Sequence, residues 1–170
     1  MDTPTDRRKK EAARRIIVAL DGMEGFEVHE FCKVLQGTGA IFKVNTYLRE
    51  EGYCEIDLLS PFGDVFADLK LCDIPNTVKN DAEALVMAPS FSKPLFVTFM
   101  AAGGVEMMRA AVDILHKKGV KTLAVSVLTS LNEEDVQELY GCSVEAVVLR
   151  LARKAVSAGM SGIVCSPKDL

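Results

Sequence analysis

The chain contains no tryptophan, only two histidines and only 6% aromatic residues in its 170 positions. Histidine appears at positions 29 and 116 alone, far apart in sequence. That supports neither a zinc centre nor a Ser-His-Asp triad. No apolar run reaches the roughly 18 residues that cross a bilayer, because charges interrupt every such stretch. A surplus of positive charge is also missing. Twenty Lys and Arg against 24 Asp and Glu leave a net charge of −4, which argues against a nucleic-acid partner. The five cysteines (Cys32, Cys54, Cys72, Cys142 and Cys165) are scattered, odd in number and never in a Cys-x-x-Cys pair. Neither a disulfide framework nor a zinc site is indicated, and a reducing cytosol is the expected compartment. No Gly-x-Gly-x-x-Gly turn follows the first apolar run; Asp21-Gly22-Met23-Glu24-Gly25 has the wrong spacing.

What is present suits one folded domain. Hydrophobic residues make up 49% of the chain, and the length allows a sizeable core. Residues 1–14 form a basic leader with Arg7, Arg8, Lys9, Lys10 and Arg14, interspersed with Asp6 and Glu11. It lacks the apolar centre of a signal peptide and is expected to be flexible or helical. The domain proper is expected over residues 15–170.

Apolar runs and helical spacings alternate. Ile16 to Leu20, Ala40 to Val44, Val65 to Lys70, Leu95 to Phe99, Thr122 to Val127 and Gly162 to Cys165 read as strands. Between them, Val28, Phe31, Cys32 and Leu35 recur at helical spacing, with Gly37 beyond them. A broken helical region spans Tyr47 to Leu59 around Gly52. Asn76 or Thr77 is placed to cap a helix carrying Val78, Ala82, Leu85 and Val86. Val105, Met108, Val112 and Leu115 form another stripe, closed by Lys117-Lys118-Gly119. Pro89 to Pro94 reads as a loop. Asn132 opens a helix with Glu133, Glu134 and Asp135 in its first turn, and a longer helix follows Ser143. Near-continuous apolar strands alternating with helices predict a parallel sheet covered by helices.

Polar residues at the strand ends choose between architectures. Asp21 follows strand one, Lys43 sits late in strand two, Asp68 and Lys70 end strand three, and Thr129 and Ser130 follow strand five. A βα barrel builds its site from the C-terminal ends of many strands, whereas an open sheet concentrates it at one switch point. The expected fold class is therefore α/β, a TIM (β/α)8-type barrel of parallel strands, incomplete, with about six βα units. Asp68, Lys70 and Asp73 put three charges into six residues beside an apolar strand. Such charges are expensive unless they pair. In a regular pleat, residues two apart share a face, so Asp68 and Lys70 are expected side by side.

The motifs also resemble a known family. Ile16-Ile17-Val18-Ala19-Leu20-Asp21, Phe42-Lys43-Val44, Asp68-Leu69-Lys70-Leu71-Cys72-Asp73-Ile74-Pro75-Asn76-Thr77, Gly103-Gly104-Val105-Glu106-Met107-Met108, Leu128-Thr129-Ser130 and Gly162-Ile163-Val164-Cys165-Ser166-Pro167 run in the order found in orotidine 5′-phosphate decarboxylases. The Asp-x-Lys-x-x-Asp core is shared with related sugar-phosphate enzymes, but the Ile-Pro-Asn-Thr continuation is far more specific to the orotidylate branch. The resemblance implies a cytoplasmic homodimer that acts on a small-molecule substrate, orotidine 5′-phosphate, without metal or organic cofactor, nucleic acid or membrane. It implies that Lys43, Asp68, Lys70 and Asp73 form an alternating catalytic array, with Lys70 protonating C6 and Asp68 facing the substrate carboxylate. Asp21 and Lys43 match residues that hold the ribose hydroxyls, and Ser130 matches a contact to the pyrimidine. Asp73, Ile74 and Thr77 match residues given to the neighbouring subunit's site.

Each position has a plainer reading beside this one: a salt-bridge cluster, a loop cap at Asp21, a snorkelling Lys43, a helix start at Ser130. Gly103-Gly104 reads as a tight turn before an anion cradle. Two positions depart from the family pattern, Met100 where it has histidine and Asn45 where it commonly has glycine. Six strands against the eight of a full barrel lead to the expectation of a C-terminally truncated chain, without the strands that grip the substrate phosphate. The alternatives are a sugar-phosphate decarboxylase or synthase of the same fold, probed by its magnesium dependence, and a non-catalytic truncated homologue.

Overall fold

The computed structural model describes residues 8, 11–87 and 92–167. Most of the basic leader lies outside the described residues, although Arg8 and residues 11–13 are helical. Part of the expected loop from Pro89 also lies outside them. The strands are β1 (Ile17–Ala19), β2 (Ile41–Val44), β3 (Val65–Leu71), β4 (Phe96–Met100), β5 (Lys121–Val125) and β6 (Gly162–Val164). The helices are α1 (Gly25–Val34), α2 (Thr46–Glu51), α3 (Glu55–Leu59), α4 (Pro75–Ala84), α5 (Val105–Leu115), α6 (Glu133–Tyr140) and α7 (Val144–Ala158). Sheet order follows chain order, β1-β2-β3-β4-β5-β6. The pairs β1/β2, β2/β3 and β5/β6 are parallel, with Val18 opposite Phe42 and Phe42 opposite Val65. Among the described residues no helix is long and apolar enough to cross a membrane. All five cysteines are free.

The chain divides into two compact units. The first holds Met1–Asp68 and Ala84–Phe96. Its centre is Phe42, Val44, Leu48, Ile56 and Leu59, all buried. Gly63 lies so close to the Phe42 ring that a Cβ there would stand 2.8 Å from Cε2 and 3.1 Å from the Ala40 carbonyl oxygen. The expected break at Gly52 is real. With φ at +95° it ends α2, and α3 starts three residues later; only glycine takes such an angle without strain. His29 on α1 meets the Tyr47 hydroxyl at 2.9 Å and Glu55 at 3.1 Å, and Tyr47 also donates to Glu55. Helices α1, α2 and α3 are thereby tied by one partly buried polar cluster, so His29 is a packing residue.

The second unit holds Leu69–Glu83 and Val97–Leu170. Helix α5 buries Met107, Met108, Ala111 and Leu115 and packs on α7, which buries Leu151 and Ala155. The methionines fill core space, as their spacing predicts. Asn132 caps α6 by accepting the Asp135 N–H at 2.9 Å, and Asp135 accepts the Asn132 N–H at 3.0 Å. This reciprocal arrangement satisfies two backbone donors at the helix start. Ser143 caps α7 by accepting the Ala146 N–H at 3.3 Å. Helix α4 starts at Pro75, so Asn76 and Thr77 fall inside its first turn and neither caps it. Proline suits that position, because the N–H it lacks would have no intrahelical partner there.

Candidate active site

In the first unit, three of the expected site residues converge. Lys43, on β2, directs its Nζ to Asp21 Oδ2 at 2.7 Å and to Asp68 Oδ2 at 3.1 Å. Asp21 follows β1 and Asp68 lies on β3; the register partners of Lys43 are Ala19 and Phe66, so each aspartate stands two residues further along the chain and the Lys43 side chain reaches forward between them. The Asp68 side chain is 9% exposed and that of Asp21 44%. A carboxylate so deeply placed needs a cation, and Lys43 supplies it. Burial is the largest single influence on the Lys43 ammonium and pulls its pKa down. Hydrogen bonds and charges from Asp21 and Asp68 together outweigh it, leaving the pKa above 10.5. Lys43 therefore stays charged across the physiological range. The snorkelling and loop-cap readings of Lys43 and Asp21 give way to a fixed Asp-Lys-Asp bridge, with Asp21 partly open to solvent.

In the second unit, Lys70, the residue before the last of β3, has an unusual conformation. Among the described residues it is the one non-glycine with positive φ, at 49°. A left-handed backbone costs a side-chain-bearing residue about 1–3 kcal/mol and persists only where surroundings impose it. The shared face expected for Asp68 and Lys70 assumed a regular pleat, which this angle interrupts. The Lys70 N–H donates to Thr98 Oγ1 at 2.9 Å, and Thr98 is completely buried. Thr98 did not emerge as a site residue from the sequence. Its signal was there to read: it is the one polar residue of Phe96-Val97-Thr98-Phe99-Met100.

The other expected residues lie at the surface of this unit. Asp73 is exposed and accepts the Ile74 N–H at 2.6 Å. Ile74 is 67% exposed. Thr77 is half-buried in the first turn of α4. Ser130 is exposed and lies two residues before the Asn132 cap, so it does not open α6. Gly103 leaves no room for a side chain: a Cβ there would meet Met107 Cε at 2.2 Å and Cys72 Sγ at 3.4 Å. His116 hydrogen-bonds Thr122 at 3.0 Å and Ser161 at 3.1 Å, a packing role at the start of β5. Among the described residues, no cluster of three or more His, Cys, Asp or Glu could hold a metal ion.

Parallel strands alternating with helices, in sheet order equal to chain order and with charged residues at successive strand ends, define an incomplete (β/α)8-barrel-type enzyme fold of about six βα units. The solved structure of an uncharacterized conserved protein from Geobacillus kaustophilus is similar, with TM-score 0.81 and 34% identity over 91% of this chain and 74% of that one. Orotidine 5′-phosphate decarboxylase from Lactobacillus acidophilus gives TM-score 0.78 and 32% identity over 91% of this chain and 72% of that one. In sequence, orotidine 5′-phosphate decarboxylase of Geobacter sulfurreducens is 38% identical over 170 residues, covering 95% of this chain and 70% of the relative. Residues 14–170 match the orotidine 5′-phosphate decarboxylase / HUMPS family, and the chain belongs to that carboxy-lyase family.

Proposed function

We propose that this chain decarboxylates orotidine 5′-phosphate to UMP in pyrimidine biosynthesis, with residues 15–170 as its decarboxylase domain. One observation carries the reading: Lys43 held between Asp21 and Asp68 at 2.7 and 3.1 Å, in a family member that keeps Lys70 and Asp73 in the Asp68-to-Thr77 motif. Ile74-Pro75-Asn76-Thr77 after Asp73 favours orotidylate over a sugar phosphate.

The chemistry asks for a fixed cation. When the bond from C6 to the carboxylate carbon breaks, CO2 leaves and the electron pair stays on C6, without a conjugated sink. The uncatalysed reaction is correspondingly slow, and catalysis must remove a barrier toward the upper end of about 8–23 kcal/mol. Lys70 stabilises the carbanion as charge develops, then transfers an ammonium proton to C6 and is recharged from solvent. Asp68 faces the substrate carboxylate; at ~4 Å and an effective dielectric of about 20 the two charges repel by roughly 4 kcal/mol. Departure of CO2 relieves that repulsion, while preorganised stabilisation of the carbanion acts in the same direction. Asp21 and Lys43 hold the ribose hydroxyls, and Ser130 contacts the pyrimidine. No metal or organic cofactor takes part.

The working form in this reading is a cytosolic homodimer. Asp73, Ile74 and Thr77 reach the neighbouring subunit's site, which the exposure of Asp73 and Ile74 supports. The test is CO2 release from orotidine 5′-phosphate, followed by the change in ultraviolet absorbance, with and without EDTA. Turnover that survives EDTA and disappears in Lys70→Ala supports the reading. No turnover by the unaltered chain, or turnover that requires magnesium, refutes it.

A further inference from the structure

Thr98 and Lys70 form an arrangement that neither residue's ordinary role explains. A threonine with zero exposure in an apolar strand carries a hydroxyl that must be hydrogen-bonded or be destabilising. Valine has the same shape and would suit the strand at least as well. The hydroxyl oxygen instead accepts the N–H of Lys70 at 2.9 Å. In a parallel ladder such an N–H ordinarily goes to a carbonyl of the neighbouring strand. Here a buried side-chain oxygen of β4 accepts it, at the residue whose own backbone stands at φ +49°. The buried Leu69 anchors the chain immediately before it. A strained angle at a non-glycine residue persists only where neighbours over-determine it, and it recurs where a side chain must be aimed.

We propose that Thr98 is a positioning residue. By holding the Lys70 N–H it keeps the backbone in the left-handed region and thereby sets the direction in which the Lys70 ammonium leaves the strand. The role rests on the reading above, in which Lys70 is the proton donor. Thr98 touches no reacting atom in it; its effect passes entirely through Lys70.

The experiment compares the unaltered chain with Thr98→Val, which keeps shape and removes the acceptor, and Thr98→Ser, which keeps the acceptor. Steady-state decarboxylation of orotidine 5′-phosphate and the Lys70 φ angle from crystal structures are both measured. A misplacement of about 1 Å lowers rate by as much as roughly 100-fold. Thr98→Val is therefore expected to lose about 10- to 100-fold in kcat with KM nearly constant, and its Lys70 is expected to leave the left-handed region. Thr98→Ser is expected to recover the rate and the angle. If Thr98→Val does not fold, Thr98→Cys, similar in size and a weak acceptor, takes its place and is expected to show the same loss. Retention of both kcat and the positive φ in the valine variant overturns the proposal, as does failure of serine to recover either. If the unaltered chain does not turn over orotidine 5′-phosphate, the decarboxylase reading fails by itself. The φ comparison between the valine and serine variants then still decides whether Thr98 holds Lys70.

Discussion

Replacing Lys43 by methionine keeps most of the aliphatic stem and removes the ammonium that bridges two carboxylates. The consequences differ on the two sides. The Asp21 side chain is 44% exposed, so its half of the bridge is screened by water and contributes about 0–1 kcal/mol. The Asp68 side chain is 9% exposed, and depriving a buried charge of its partner is destabilising by about 3–5 kcal/mol. Lys43 itself retains 21% exposure, so water can partly replace it, and the lower end, about 3 kcal/mol, is expected. For a chain of this size that corresponds to a fall in Tm of about 6–12 °C. The absence of tryptophan makes far-UV circular dichroism the suitable probe, with urea titration as the equilibrium measurement. The pH dependence provides a second check. The folded pKa of Lys43 is raised above its ordinary value of 10.5. The bridge therefore stabilises fully below that value and is lost as pH rises through the folded pKa. The gap between unaltered protein and Lys43→Met should stay level from pH 7 to 9 and close at higher pH. Equal urea midpoints for the two proteins at pH 7, or a gap that widens with alkalinity, would refute the reasoning.

Two further outcomes are expected. Gly63→Ala puts a methyl 2.8 Å from the buried Phe42 ring and 3.1 Å from a backbone oxygen; overpacking of this kind should lower stability by about 1–3 kcal/mol in the same urea titration, and an unchanged midpoint would contradict it. Cys32 is fully buried and burial pushes its thiol up to about 11, so native protein treated with a thiol reagent at pH 8 should label at the exposed Cys54 and Cys72 while Cys32 waits for denaturant.

Much of the fold could be read because the strands are nearly all apolar and the helices carry their own end signals. Phe42, Val44, Val65 and Ala67 are buried on both faces of the sheet, and such strands appear in sequence as unbroken runs. Asn132, Ser143 and Gly52 acted locally, as their side chains or lack of one dictate. Boundaries moved where a local rule met a tertiary one. Strand β3 extends to Leu71, and β5 stops at Val125 although Ser126 and Val127 continue the pattern. The Ser126 hydroxyl bonds the Val164 carbonyl at 3.0 Å, a link that composition cannot disclose. Of the site, the need of Asp68 for a partner was legible because a charge in an apolar strand must pair, but its partner Lys43, and Asp21 beyond it, were marked only as polar strand-end residues and by the family resemblance. The left-handed angle at Lys70 was not, since lysine has no propensity for it, and the threonine that accompanies it became meaningful only with the neighbouring strand in place.

Strand β1 has a practical consequence. Ile16 and Ile17 stand 56% and 44% open to water, directly after the exposed Arg14 and Arg15. Sticky β segments are commonly flanked by charges that keep like molecules apart. This pair of guanidinium groups is expected to make the colloidal behaviour of the protein depend on ionic strength more than a net charge of −4 would suggest. Concentrated stocks should therefore keep best in dilute buffer, and neutralising both arginines should turn a quiet solution turbid.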